Sequence, residues 1–203
     1  MSDLARRWIS PEEYLELEAL ADTKSEYFDG EIFAIEGTSF EHSLICSNLM
    51  NSLRSQLGEG PCLVVATDQR VLVSETGLYT YPDLMVVCDK PELVGSRPQS
   101  LLNPRLIVEI LSDSTEHYDR GQKFEHYRKI ATLQEYVLVS SDRRLIECRT
   151  RREGTDEWMV AFCADQGGRI RLNSIDCSLE LDEVYRNVEL PEPETRKPRS
   201  PRS

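Results

Sequence analysis

Asp83 and Glu109 are lone carboxylates set in or beside apolar, strand-like runs. Asp83 follows Pro82 and opens Leu84-Met85-Val86-Val87, and Glu109 lies inside Leu106-Ile107-Val108-Glu109-Ile110-Leu111. Burying an ionised carboxylate is costly unless it is paired, neutralised or bound to a metal. Two such acids therefore demand a compensating positive charge. A hard divalent cation such as Mg²⁺ accepts one or two carboxylates and completes its shell with water and substrate phosphate, which suits an acid pair without His or Cys. Side chains alternate along a strand, so Ile107, Glu109 and Leu111 share one face. If the strands bearing Asp83 and Glu109 are neighbours, both acids reach one point.

A third candidate is Lys123, in Asp119-Arg120-Gly121-Gln122-Lys123-Phe124-Glu125-His126-Tyr127. On a helix Lys123 and Tyr127 stack one turn apart, with Phe124 and Tyr127 as the packed residues, so Lys123 stands at the edge of the packed face. Its flexible stem can carry an ammonium toward the acids. Each residue also has a purely structural account. Asp83 would cap a turn, Glu109 would salt-bridge an Arg such as Arg128, Lys123 would be solvated, and Glu26 and Glu31 would be surface hairpin residues. His42, His117 and His126 have no spacing suited to a metal or a triad. No Gly-x-Ser-x-Gly elbow and no phosphate-cradling Gly-rich loop is present.

The positioning elements follow from local signals. Ser10-Pro11-Glu12-Glu13 reads as a helix start, with Ser as N-cap and Pro at the first helical position. Glu26 to Ile35 predicts a β-hairpin around Asp29-Gly30, and Glu41 to Leu57 has helical periodicity ending before Gly58. Strands are expected over 62–73, 79–88 and 105–111, with a loop from Lys90 to Pro104. A helix is expected from Asp119 to Ile130, burying Phe124, Tyr127 and Ile130. A second hairpin joins 136–139 to 145–149, and 158–162 is a further strand. This order implies an α+β (α/β) domain with a mixed sheet and packed helices.

The chain has 203 residues and a net charge of −12, which by itself disfavours a nucleic-acid partner. The distribution matters more. Residues 1–60 carry 4 basic and 12 acidic side chains, whereas residues 119–152 carry 9 basic and 5 acidic, so a local anionic partner is possible just beyond Glu109. No apolar run spans a bilayer and no signal-peptide core is present; the expected location is the cytoplasm, with no membrane partner. The six cysteines, at 46, 62, 88, 148, 163 and 177, form no Cys-x-x-Cys pair and are expected to be reduced core residues.

The strings Glu26-Tyr27-Phe28-Asp29-Gly30-Glu31, Tyr81-Pro82-Asp83-Leu84, Leu106 to Ser112 and Asp119 to Tyr127 resemble the Uma-type restriction endonuclease family, a branch of the PD-(D/E)XK nuclease superfamily. The resemblance covers roughly residues 10–185, and the order of four motifs is more specific than any one of them. It implies a restriction-endonuclease-like fold: a mixed central β-sheet flanked by helices, with an N-terminal helix and β-hairpin, in one domain over 1–188. Residues 189–203 would be a disordered, Pro-rich charged tail.

The implied activity is metal-dependent cleavage of DNA phosphodiester bonds. Pro82-Asp83 corresponds to the PD half of the motif and Glu109 to its second acid. Leu111 stands where the superfamily carries its Lys, and Lys123 from the following helix replaces it. Catalysis is thus expected from Asp83, Glu109 and Lys123. Mg²⁺ or Mn²⁺ would be held by Asp83, Glu109 and the Ile110 backbone carbonyl, with Glu26 as an auxiliary ligand. Arg120, Arg128, Lys129, Arg143 and Arg144 are candidates for the DNA backbone, and a homodimer would cut both strands. Two other readings stay open: a nuclease fold kept as a DNA-binding or protein-interaction module without turnover, and a hydrolase of smaller phosphate esters.

Overall fold

A computed structural model of the chain describes residues 7–95 and 98–191. The expected tail falls almost entirely outside them. Helix α1 (Pro11–Leu20) begins as its sequence predicts, with the Ser10 hydroxyl accepting from the Glu13 N–H at 3.1 Å. Strands β1 (Ser25–Phe28) and β2 (Glu31–Ala34) form the expected hairpin. Its turn residues Asp29 and Gly30 both have positive φ, 47° and 84°, the backbone that favours an Asp-Gly pair in a two-residue hairpin turn. Helix α2 (Phe40–Leu57) is N-capped by Ser39 and ends at Gly58.

The next two expected strands each divide between sheets. Residues 62–73 become β3 (Cys62–Ala66) and β4 (Val71–Val73), and residues 79–88 become β5 (Leu78–Thr80) and β6 (Leu84–Cys88). The second break falls at Tyr81-Pro82-Asp83, where Pro82 has no N–H to give a ladder. The two crossings are tied together by the Thr67 N–H, which donates to the Asp83 carbonyl at 3.1 Å. The expected loop before residue 105 contains two short strands, β7 (Leu93–Val94) and β8 (Ser100–Leu101). Then come β9 (Leu106–Leu111), α3 (Glu116–Tyr118), a π-helical turn over Asp119–Lys123 and α4 (Phe124–Tyr127). The chain continues through β10 (Glu135–Ser140), β11 (Ile146–Arg151) and β12 (Trp158–Cys163). A hairpin of β13 (Arg169–Leu172) and β14 (Cys177–Glu180) precedes α5 (Leu181–Val184).

Among the described residues, twelve strands form two six-stranded sheets rather than one, and β13 and β14 pair separately. The central sheet has the order β12-β11-β10-β9-β6-β3, and the second sheet β2-β1-β5-β4-β8-β7. Each is mixed: β9 runs parallel to β10 and β4 parallel to β8, while the other neighbours are antiparallel. The central strands β6 and β9 bury both faces, so they read as near-continuous apolar runs. One face, with Leu84, Val86, Leu106 and Val108, packs on Ile45, Leu49 and Leu53 of α2. The opposite face, with Met85, Ile107 and Leu111, packs on Phe124, Tyr127 and residues of the second sheet. Phe124, Tyr127 and Ile130 are buried as expected.

The cysteine expectation needs correction. Cys62 and Cys88 are directly opposed on antiparallel β3 and β6 and form a disulfide; only Cys46, Cys148, Cys163 and Cys177 are free and buried. Pairing between adjacent strands brought together a couple that no short-range spacing announces. Among the described residues, no helix is long and apolar enough to cross a membrane.

Candidate active site

Glu109 is carried into the interior by β9, whose register on β10 and β6 is fixed on both sides. Glu109 is 4% exposed. Oε1 accepts from the Tyr127 hydroxyl at 2.7 Å and faces Lys123 Nζ at 2.9 Å. The single turn between Lys123 and Tyr127 thus brings both donors to one oxygen. The Arg128 alternative is not realised: Arg128 pairs with Glu125 and donates to the Asp156 carbonyl.

Asp83 lies at the crossing between the two sheets, where β5 has ended and β6 begins. Its Oδ2 accepts from the Ile110 N–H at 2.8 Å and lies 3.2 Å from His42 Nε2. Asp83, just before β6, and Glu109, within neighbouring β9, are close enough for the Asp83 charge to act on Glu109. The Ile110 N–H points to the edge of β9 facing Asp83. In an extended strand the N–H and C=O of one residue share an edge, so the Ile110 carbonyl faces that side as well.

Glu26 comes from the second sheet. Thr80 donates to its Oε1 at 2.5 Å and Tyr118 to its Oε2 at 3.1 Å. Lys123 closes the group, with Nζ 3.0 Å from Glu26, 2.9 Å from Glu109 and 3.4 Å from Asp119. Lys123 is only 6% exposed and lies in the widened π-helical turn, a local geometry found often at functional sites. Asp119, Tyr118 and His42 were not singled out from the sequence. Asp119 had a usable signal, since it precedes Lys123 by one helical turn. The His42 contact joins α2 to a sheet crossing and has no local signature.

The electrostatics follow from one ammonium facing three carboxylates. Burial pushes the Glu109 carboxyl up to about 8, with Lys123 opposing the rise and the Asp119 and Asp83 charges adding to it. Burial also raises Asp119, again against Lys123. For Lys123, burial alone would favour the neutral amine, but Glu109, Tyr127, Glu26 and Asp119 outweigh it and hold the ammonium charged, well above its ordinary range. Burial, then the Glu109 charge, keeps the Tyr127 hydroxyl protonated and donating.

Among the described residues, no three His, Cys, Asp or Glu side chains converge so as to hold a metal ion by themselves. The donor set is nevertheless of the type a hard cation uses. The contacts of Glu109 fall on Oε1 and those of Asp83 on Oδ2, which leaves Oε2 and Oδ1 without such contacts among the described residues. Two carboxylates and a strand carbonyl, with the remaining positions left to water and phosphate, match Mg²⁺ chemistry. Added positive charge would offset the surplus of buried acid over Lys123.

The five basic residues expected on DNA all carry acidic partners. Arg120 pairs with Glu116 and Glu147, Arg128 with Glu125, Lys129 with Glu75, Arg143 with Glu116 and Asp142, and Arg144 with Asp182. The basic stretch is thus a set of ion pairs rather than an open positive face.

The fold, mixed sheets with few helices, is of the nuclease-like class. It matches a crystal structure titled as a putative nuclease from Anabaena variabilis with a TM-score of 0.69 and 18% identity, over 87% of this chain and 97% of that one. The chain belongs to the Uma2 family, described as "Putative restriction endonuclease", which matches residues 11–182. Two uncharacterized proteins of Synechocystis are similar along most of their length. One, slr1290, is 38% identical over 180 residues, covering 89% of this chain and 93% of the relative; the other, sll1609, is 33% identical over 161 residues, covering 79% and 90%.

Proposed function

We propose that the protein is a metal-dependent endonuclease that hydrolyses DNA phosphodiester bonds, with Asp83, Glu109 and Lys123 as its catalytic residues. The observation that carries this reading is the meeting of two carboxylates on neighbouring strands, Asp83 just before β6 and Glu109 within β9, with a buried ammonium on one of them. Asp83, Glu109 and the Ile110 carbonyl would hold Mg²⁺ or Mn²⁺, with Glu26 as an auxiliary ligand. Such an ion supplies stabilisation of charge on the scissile phosphate and a more acidic bound water.

The chain's own residues set the remaining terms. Tyr127 and the Ile110 N–H each fix one carboxylate oxygen and thereby orient the other. Lys123, held charged by its neighbours, places positive charge beside the phosphate. Lys129, Arg143 and Arg144 have side chains 47%, 50% and 37% exposed. Exposed pairs of this kind contribute roughly 0–1 kcal/mol, so a DNA phosphate can displace their acidic partners. Two copies acting as a homodimer would account for cutting both strands.

The test is plasmid cleavage with Mg²⁺ or Mn²⁺ by the wild type and Asp83→Ala. Metal-dependent nicking by the wild type and its loss in the variant is expected; equal activity in both, or none with either metal, refutes the reading. A second reading is favoured by the engagement of Lys123 with three carboxylates: a nuclease fold retained for DNA or protein binding without turnover. It predicts DNA binding unchanged by metal.

A further inference from the structure

Asp83 is held from two directions. On one side the Ile110 N–H donates to Oδ2 at 2.8 Å. On the other, α2 contributes two residues one turn apart: His42 Nε2 reaches the same Oδ2 at 3.2 Å, and the Cys46 thiol lies 3.7 Å from the Asp83 carbonyl oxygen. The Thr67 N–H donates to that carbonyl as well. His42 is itself seated, since its backbone N–H donates to the capping Ser39 hydroxyl at 3.2 Å and it is 8% exposed.

This arrangement is more than packing chance. A carboxylate beside a proline at a sheet crossing has free rotation about its side-chain bonds unless donors fix its plane. Two contacts on Oδ2, the Ile110 N–H from β9 and the His42 imidazole from α2, restrict that plane, while Oδ1 carries neither. For the contact to be attractive with a neutral imidazole, Nε2 must carry the proton. Carboxylates that ligate metals are commonly oriented by such outer partners, whose removal costs roughly 10- to 100-fold in metal affinity.

We infer that His42 is a positioning residue for Asp83: donating from Nε2 to Oδ2, it orients the carboxylate so that Oδ1 is presented toward Glu109 for a divalent cation. The inference rests on the metal-site reading above. It assigns a role to α2, which otherwise only covers the core.

The experiment measures Mn²⁺ binding by calorimetry, without DNA, for the wild type, Asp83→Asn, His42→Leu and His42→Gln. Thermal melts confirm that each variant is folded. Glutamine can set an amide N–H about where Nε2 stands, whereas leucine fills the space without a donor. Binding to the wild type that is weakened about tenfold or more by His42→Leu and returned to within about threefold by His42→Gln is expected. Equal affinity of His42→Leu and the wild type, with Asp83→Asn impaired, overturns the role of His42 alone. Equal loss in both His42 variants, with both folded, also overturns it, because the donor would then be irrelevant. Absence of Mn²⁺ binding by the wild type, or binding indifferent to Asp83→Asn, overturns the metal-site reading and this inference with it.

Discussion

Replacing Glu109 with glutamine imitates its protonated form, because the amide oxygen can still accept from Tyr127 and Lys123. The wild-type carboxyl has an ordinary pKa of 4.5 and is raised by burial to about 8 in the folded chain. Between those values the folded state keeps a proton that the unfolded chain has released, so wild-type stability falls as pH rises through the window and levels off above it. At about 1.4 kcal/mol per pH unit, ionising Glu109 in place costs on the order of 5 kcal/mol. Glu109→Gln should therefore match the wild type near pH 4.5 and exceed it progressively up to pH 8.5. With ~2–4 °C of Tm per kcal/mol for a chain of this size, the gap should reach about 10 °C or more. Urea unfolding and thermal melts in EDTA, at half-unit steps from pH 5 to 8.5, measure it directly. A difference that stays flat across the window, or a wild type that gains on the variant as pH rises, would refute the account of Glu109 as an acid held against its preference.

Lys123→Met leaves Glu26, Glu109 and Asp119 without their shared cation. A loss of roughly 3–5 kcal/mol is expected in urea titrations at pH 7.5, shrinking toward pH 5 as the raised Asp119 carboxyl takes up its proton. Tyr127→Phe removes the donor at 2.7 Å from Glu109 and should cost about 1–3 kcal/mol, with fluorescence-detected unfolding as the check. Reducing the Cys62–Cys88 bond should lower stability by about 2–4 kcal/mol; alkylation and mass spectrometry should find those two cysteines protected before reduction and labelled after it. Arg143→Ala should change stability by less than about 1 kcal/mol while weakening DNA retention at low salt more than at high salt, as a filter-binding series would show.

The acid pair and Lys123 were legible because each breaks a local rule. A charge in the middle of Leu106–Leu111 or after Pro82 conflicts with an apolar strand, and one turn of helix is enough to join Lys123 to Tyr127. The Asp29-Gly30 hairpin and the Ser10 and Ser39 caps are equally local, governed by turn and capping chemistry. What stayed hidden is long-range. Residues 62–73 and 79–88 read as single strands although Thr67-Asp68-Gln69-Arg70 and Pro82-Asp83 interrupt their apolar runs, because nothing local says that the chain changes sheets at those breaks. The Cys62–Cys88 bond and the His42–Asp83 contact depend on strand register and helix seating, which no short window encodes. The Arg120–Glu147, Arg143–Glu116 and Arg144–Asp182 pairs were hidden for the same reason, since each acidic partner comes from another element.

Glu26 and Thr80 belong to the second sheet, Asp83 to the crossing, Glu109 to the central sheet and Lys123 to the helical turn between them. The cluster is thus a seam, and its charges come together only when the two sheets are docked. A chain in which β1 and β5 have peeled away loses Glu26 from Lys123 even if β9 and β6 stay paired. Amide exchange in Ser25–Phe28 and Leu78–Thr80 therefore serves as a gauge of site assembly: the opening free energy of those strands sets a floor on how often the complete charge constellation is dismantled in the native protein.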